Sequence, residues 1–145
     1  SPVSTGGRLV MSFHGIPQAS SNRGDVYEAQ CLRTASLLAE RLGLEEGAWS
    51  VCFQSRFGRD EWLQPYTLPF VEKLAREGLP RIDVVCPGFA ADCLETIEEI
   101  GDELRSAYLR ANPNGVFHYI PALNESDEAV EAYAAIARRE LSGWI

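Results

Sequence analysis

The sequence has few basic residues and a surplus of acidic ones. Its 13 lysines and arginines are outnumbered by 21 aspartates and glutamates, which gives a formal net charge of -8. Phosphate groups repel such a surface, so nucleic acid and bare anionic membranes are not expected as main partners. A cationic ligand is easier to accommodate.

Long apolar runs are also absent. No stretch approaches the roughly 18 apolar residues that a transmembrane helix needs, and residues 1–7 (SPVSTGG) lack the charged and then apolar regions of a secretion signal. We therefore expect a cytoplasmic protein with at most peripheral membrane contact. The four cysteines include no CxxC pair and are expected to be reduced structural thiols; they are Cys31, Cys52, Cys86 and Cys93.

Nucleotide-binding signatures are missing too. Neither the dinucleotide pattern G-x-G-x-x-G nor the P-loop pattern occurs, which argues against a nucleotide enzyme. The composition that is present, with 46% hydrophobic and 23% charged residues over 145 positions, is that of a globular protein. This length can bury a real core, so residues 1–145 are expected to form a single domain.

Four short apolar runs have the length and composition of buried strands; they cover residues 9–13, 49–53, 82–86 and 116–120. A helical pattern follows each run. This alternation predicts an α/β fold, a three-layer sandwich in which a four-stranded parallel sheet carries helices on both faces. In the last helix, the residues expected to face inward are Val130, Tyr133, Ala137 and Leu141.

The helix predicted from about residue 90 onward, after the third strand, is unusually acidic. At about 100° per residue, one face carries Asp92, Glu95, Glu99, Asp102 and Glu103. The opposite face carries Leu94, Ile97, Ile100, Leu104 and Tyr108. The acidic face is either a solvated surface or a row of oxygen ligands aimed at a cation, and the pattern leaves both interpretations open.

His14 closes the first predicted strand, at the sheet edge where the third strand also ends. Ligands of open α/β sheets bind at this edge, so His14 could face the acidic helix across a cleft. Neutral imidazole is a base near pH 7 and a good iron ligand. Trp62, in the loop after the second strand, could wall an apolar ligand. Each residue could equally have a purely structural role.

Several short motifs occur in the order and spacing of a known family. They read HGIP at 14–17, GDVY at 24–27, QSRFG at 54–58 followed by WL at 62–63, and GFAADCLETIEE at 88–99. Together they resemble the carboxyl-terminal half of ferrochelatase, most closely the bacterial type. The resemblance implies a fold like one half of the class II chelatases.

The same resemblance implies a function. Ferrochelatases are lyases that insert Fe²⁺ into a porphyrin, converting protoporphyrin IX to protoheme in the last step of heme biosynthesis. The family's catalytic residues fall on His14 and Glu95, its metal contacts on His14, Glu95 and Glu99, and its porphyrin contacts on Trp62 and Tyr27. Iron is a substrate here, so no cofactor is expected. No iron-sulfur cluster is expected either, because the sequence ends at Trp144-Ile145 without the cysteine tail of cluster-bearing members.

Two departures from the family pattern bear on this interpretation. Family members have two similar halves that enclose the porphyrin, so an amino-terminal half is the expected partner, and the isolated chain is expected to be weak or inactive. Cys93 also stands where some members have histidine. Two alternatives remain: a small single-domain class II chelatase that inserts cobalt into sirohydrochlorin as a homodimer, or a non-catalytic half that binds metal or tetrapyrrole.

Overall fold

The computed structural model describes residues 6–144. Its four strands are β1 (Arg8–His14), β2 (Trp49–Gln54), β3 (Arg81–Val85) and β4 (Val116–Ile120). They form one sheet in the order β2-β1-β3-β4, and every neighbouring pair is parallel. The predicted four-stranded parallel sheet is confirmed. Within the described residues, no helix has the length and apolar character needed to cross a membrane.

Helices connect the strands on both faces of the sheet. They are α1 (Gln18–Asn22), α2 (Tyr27–Leu42), α3 (Thr67–Arg76), α4 (Leu94–Ile97), a π-helical segment (Glu99–Leu104), α5 (Arg105–Ala111) and α6 (Asp127–Glu140). Gly43 ends α2 in the left-handed conformation at φ 64°, which glycine adopts without a Cβ clash.

Two apolar clusters hold the layers together, one on each face of the sheet. Side chains alternate along β1, so Met11 and Phe13 pack with Ala35 of α2 on one face. Val10 packs on the other face with Tyr108 of α5, which is fully buried. Each large buried side chain contributes roughly 1.5–3 kcal/mol. This core leaves the carboxyl ends of β1, β2 and β3 together at one edge of the sheet.

The acidic helix differs from its prediction because it is not a continuous α-helix. It begins at Leu94, and its π-helical segment lets the Glu103 N–H reach the Glu98 carbonyl, five residues back, at 2.9 Å. A π turn holds an extra residue, so one helical wheel cannot describe both ends. Ile100, Leu104 and Tyr108 are buried as predicted, but Leu94 and Ile97 are 69% and 60% exposed. Thr96 occupies the buried position in that first turn.

The prediction for the last helix is wrong. Val130 and Tyr133 are 54% and 51% exposed, Leu141 is 42% exposed, and Ala137 is exposed as well. The buried residue of α6 is Ala129, three residues after the N-cap serine at position 126, whose hydroxyl accepts the Ala129 N–H at 3.2 Å. An apolar stripe indicates that a helix face can be buried, but a helical wheel does not say what packs against that face.

Candidate active site

His14 is the last residue of β1 and lies beside Gln54, the last residue of β2. Its Nδ1 atom is 2.7 Å from the carbonyl oxygen of Gly15. A carbonyl can only accept, so Nδ1 carries the hydrogen and Nε2 of the neutral ring has a free lone pair. The local backbone therefore prepares this imidazole to take up a proton at Nε2.

Three aromatic rings surround the imidazole of His14. The ring centroids of Phe57 and Phe89 lie 6.4 Å from it, and that of Trp62 lies 6.5 Å from it. Phe57 and Trp62 also meet edge to face at 6.0 Å, yet Phe57 remains 64% exposed. Exposed aromatic surface beside a histidine suits a flat apolar ligand.

Tyr27 holds the backbone of His14 in place. Its hydroxyl donates to the backbone carbonyl of His14 at 2.8 Å, and its ring packs with the apolar cluster under α2. Burial raises the pKa of Tyr27 well above its ordinary value, so the hydroxyl keeps its hydrogen. Tyr27 lines a separate cavity of about 160 Å³. A porphyrin contact by Tyr27 stays a prediction.

A second cavity of about 300 Å³ opens next to this aromatic group. Its walls include Ser55, Arg56, Phe57 and Leu94. Four glutamates complete it, and we call it the glutamate cavity; they are Glu95, Glu98, Glu99 and Glu103. The π-helical segment explains why Glu98 joins the acidic wall that a simple wheel assigns to Glu95, Glu99 and Glu103. Asp92 and Asp102 are not among its lining residues.

Asp92 instead ties two loops together. Its carboxylate accepts hydrogen bonds from the Tyr119 hydroxyl at 2.6 Å, the Asn124 amide at 2.9 Å and the Thr96 hydroxyl at 3.0 Å. Burial alone would raise its pKa, but these donors and the Ala122 N–H outweigh burial and lower it to about 2. Asp92 thus fixes the start of the acidic helix against the loop after β4.

Glu95 lines the glutamate cavity, and its carboxylate responds to the charge of His14. Its pKa is lowered chiefly because the Cys93 thiol and the Glu95 backbone N–H hydrogen-bond to the carboxylate. Partial burial opposes this, and the charge of protonated His14 lowers the pKa further. Glu95 is therefore an ionised carboxylate whose charge is coupled to that of the candidate base.

Glu99 is held by the end of β2 and the residue that follows it. The Ser55 N–H donates to one oxygen of its carboxylate at 2.7 Å, and the Ser55 hydroxyl donates to the other at 2.6 Å. Sequence reasoning placed Gln54 and Ser55 only within a family motif. The one signal for their role is position, because the strand before them pairs with the strand that ends at His14.

The three residues expected to contact iron do not form a closed cage. Among residues 6–144, no group of three or more histidine, cysteine, aspartate and glutamate side chains has the spacing to hold a metal ion together. Metal contacts by His14, Glu95 and Glu99 stay a prediction. Of the four cysteines, Cys31, Cys52 and Cys86 are buried, while Cys93 is partly exposed at the start of α4.

Comparison with known proteins identifies the family. A model of the family described as Ferrochelatase matches residues 3–141. The chain belongs to the ferrochelatase family. It is 53% identical to a ferrochelatase of Dechloromonas aromatica and 55% identical to one of Thioalkalivibrio sulfidiphilus, over 94% and 96% of its own length. The match to this family confirms the resemblance read from the motifs.

The chain spans only part of these ferrochelatases, 37% of the length of each of the two. In fold it is similar to a cobalamin (vitamin B12) biosynthesis CbiX protein of Marinobacter aquaeolei VT8, with a TM-score of 0.56 at 12% sequence identity. That match covers 93% of this chain and 97% of the other, and it confirms the chelatase-like α/β fold.

Proposed function

We propose that this chain is the carboxyl-terminal half of a ferrochelatase and takes part in inserting Fe²⁺ into a porphyrin, from protoporphyrin IX to protoheme. One observation carries the proposal. His14, with Nε2 free, is surrounded by three aromatic rings, and one of them, Phe57, also lines the glutamate cavity that contains Glu95. Membership in the ferrochelatase family supports it.

The chemistry of insertion requires a base at the centre of the ring. A porphyrin loses two pyrrole N–H protons when a dication enters it, so a proton acceptor must stand over the macrocycle. His14 is the acceptor in this proposal, because its hydrogen is held at Nδ1 by the Gly15 carbonyl. Glu95, an ionised neighbour, stabilises the imidazolium that forms and passes the proton on.

The glutamates supply the second requirement, which is to replace water around the incoming metal. Fe²⁺ can bind carboxylate oxygens, and Glu95 and Glu99 present such oxygens along the wall of the glutamate cavity. Iron is a substrate and keeps its oxidation state during insertion. The reaction therefore needs neither a resident cofactor nor an iron-sulfur cluster.

The macrocycle is proposed to lie against the exposed apolar side chains around His14. Trp62 and Phe57 form its aromatic wall, and Leu94, which is 69% exposed, lies at the edge of the glutamate cavity. Exposed apolar surface of this kind marks a binding site. Leu94 and Glu95 are consecutive residues of the cavity wall, so we expect the metal to pass from the carboxylates to the macrocycle there.

The amino-terminal half of the same enzyme is the proposed partner. The chain spans 37% of the length of its relatives, and α6 exposes Val130, Tyr133 and Ile136. A lone half would leave the ring open to water and poorly oriented, so weak activity is expected from it. A cytoplasmic location and, at most, peripheral membrane contact complete the proposal, supported by the free thiols.

An insertion assay tests the proposal. The chain, alone and joined to the amino-terminal part of the Dechloromonas aromatica relative, would be incubated anaerobically with Fe²⁺ and protoporphyrin IX, following loss of porphyrin fluorescence. We expect turnover from the joined protein and much less from the chain alone. No turnover from the joined protein would overturn the proposal. Parallel assays with Co²⁺ and sirohydrochlorin test the class II alternative, which predicts that the chain alone is active.

A further inference from the structure

Gln54 contacts both the loop that follows His14 and the acidic helix. It is the register partner of His14, and its backbone carbonyl accepts the N–H of Gly15, the residue that fixes the His14 ring, at 2.8 Å. Gln54 is only 3% exposed, and its side chain extends toward the acidic helix. The backbone of Gln54 thus contacts the loop of the base, and its side chain contacts the carboxylates.

The amide of Gln54 has little rotational freedom. Its nitrogen donates to the Glu95 carbonyl at 2.7 Å and to the Glu99 carboxylate at 3.3 Å. Its oxygen accepts from the Ser12 hydroxyl at 2.8 Å and from the Cys86 thiol at 3.4 Å. A flipped amide would present oxygen to two acceptors and nitrogen to two donors. A buried network satisfied in this way specifies one arrangement.

Ser55 holds Glu99 at a cost in backbone strain. Its N–H and hydroxyl grip the two oxygens of the Glu99 carboxylate, as described above, and its φ is 64°, a left-handed value that serine rarely adopts. Residues held in such sparsely populated conformations are strained, and they cluster at functional sites. The strain indicates that holding Glu99 outweighs local backbone preference.

We propose that Gln54 and Ser55 are positioning residues that set Glu95 and Glu99 at a fixed place relative to His14. This inference rests on the proposed function. Gln54 acts through the backbone of Gly15 and of Glu95, while Ser55 acts through the carboxylate of Glu99. Neither residue needs to touch the metal or the porphyrin to affect insertion, because a small misplacement of a catalytic group is enough to slow a reaction.

Two variants in the joined protein test the proposal. Gln54→Glu is isosteric but exchanges a donor for an acceptor opposite the Glu95 carbonyl and the Glu99 carboxylate. Ser55→Gly relieves the left-handed strain and removes the hydroxyl. We expect kcat to fall at least about tenfold for Gln54→Glu and several-fold for Ser55→Gly, with porphyrin KM changed less than about threefold. The unfolding midpoint of Ser55→Gly should be unchanged or higher.

Lower kcat together with an unchanged or higher unfolding midpoint in Ser55→Gly would indicate a positioning role. If Ser55 were purely structural, its replacement would lower the unfolding midpoint. The matched control is Gln64→Glu, the same substitution at an exposed glutamine, which should keep wild-type kcat. Wild-type kcat in both Gln54→Glu and Ser55→Gly would overturn the proposal. Loss of kcat only in proportion to loss of folded protein would overturn it as well.

A second measurement decides the inference even if the joined wild-type protein shows no insertion, a result that would overturn the proposed function. Amide hydrogen exchange in the 145-residue chain reports on the Ser55 N–H, which donates to Glu99. In Gln54→Glu, exchange at Ser55 should accelerate at least tenfold, with Met11 in the buried strand β1 unchanged. Unchanged exchange at Ser55 would show that Gln54 positions nothing there.

Discussion

The hydroxyl of Tyr27 donates to the carbonyl oxygen of His14 at 2.8 Å, so a residue of α2 holds the backbone of the candidate base. Tyr27→Phe removes this bond and leaves a partly buried carbonyl unpaired. We expect a loss of about 1 kcal/mol in the free energy of unfolding and a lower kcat in the joined protein. Denaturant titration and the insertion assay measure the two effects.

Tyr133→Phe is the control for that variant, since Tyr133 is 51% exposed on α6. It should retain wild-type unfolding free energy. If Tyr27→Phe has the unfolding free energy of this control and the kcat of the wild type, the bond to His14 does not stabilise the site.

Glu95→Gln should slow insertion strongly and leave folding unchanged. Loss of a general acid or base typically reduces a rate by about 10²–10⁴, so we expect a fall in kcat of roughly 10² in the joined protein. Thermal unfolding of the variant should match the wild type because the side chain is not part of the core. Stopped-flow measurement of insertion gives the rate.

The matched control for Glu95 is Asp102→Asn, in the same helical region. Glu98 is unsuitable because it also lines the glutamate cavity, whereas Asp102 is exposed and is not among its lining residues. Equal insertion rates for Glu95→Gln and Asp102→Asn would show that the acidic wall is only a solvated surface with no role in insertion.

Trp62→Ala should weaken porphyrin binding more than it slows chemistry. An aromatic contact contributes about 0.5–1.5 kcal/mol, which corresponds to roughly a twofold to tenfold rise in porphyrin KM. Leu32→Ala, an exposed leucine on α2, is the control. An unchanged KM with a reduced kcat would show that Trp62 positions His14 instead of contacting the macrocycle.

Asp92 should make the protein sensitive to acid. Its folded-state pKa of about 2 lies below the ordinary value of roughly 3.9, so the ionised carboxylate stabilises the fold above about pH 4. This contribution, at most about 2 kcal/mol, is lost as the pH falls from about 4 toward 2. Asp92→Asn should be less stable than wild type at pH 6 and lose less stability on acidification.

Chemical denaturation at several pH values between 6 and 2.5 measures this difference. Part of the acid sensitivity should persist in the variant, because Asp83 also has a lowered pKa: burial raises it, but Arg81 and His118 outweigh burial. Parallel pH curves for wild type and Asp92→Asn would contradict the assigned role of Asp92.

The strands and the edge that carries His14 could be predicted because they depend on local apolar runs and on the geometry of parallel sheets. Residues 116–120 were predicted as a strand and form β4. The acidic helix was half right, since a regular wheel correctly placed Ile100 and Leu104 but not Leu94 and Ile97. No local pattern reveals a change to π-helical hydrogen bonding.

The contacts that position the site residues could not be predicted from the sequence, for a different reason. Gln54 and Glu95 are 41 positions apart, and Tyr27 and His14 are 13 apart and joined through a backbone atom. Such pairs arise from tertiary packing and leave no periodicity in the sequence. The exposed stripe of α6 shows the converse limit, because Val130 and Tyr133 follow a helical pattern yet are exposed, and such a pattern does not specify what packs against it.

The π-helical segment also changes what a small deletion would do. A π turn is an α-helical turn with one residue inserted, and Gly101 lies in the middle of this one. Loss of one residue there would let the helix close into regular α form while Leu104 and Tyr108 stayed in the core. In a regular α-helix, such a deletion would turn everything before it by about 100° around the helix axis. Here the wider turn absorbs the loss, so Glu95 would keep nearly its present direction, and this helix would tolerate a shortening that a regular α-helix would not.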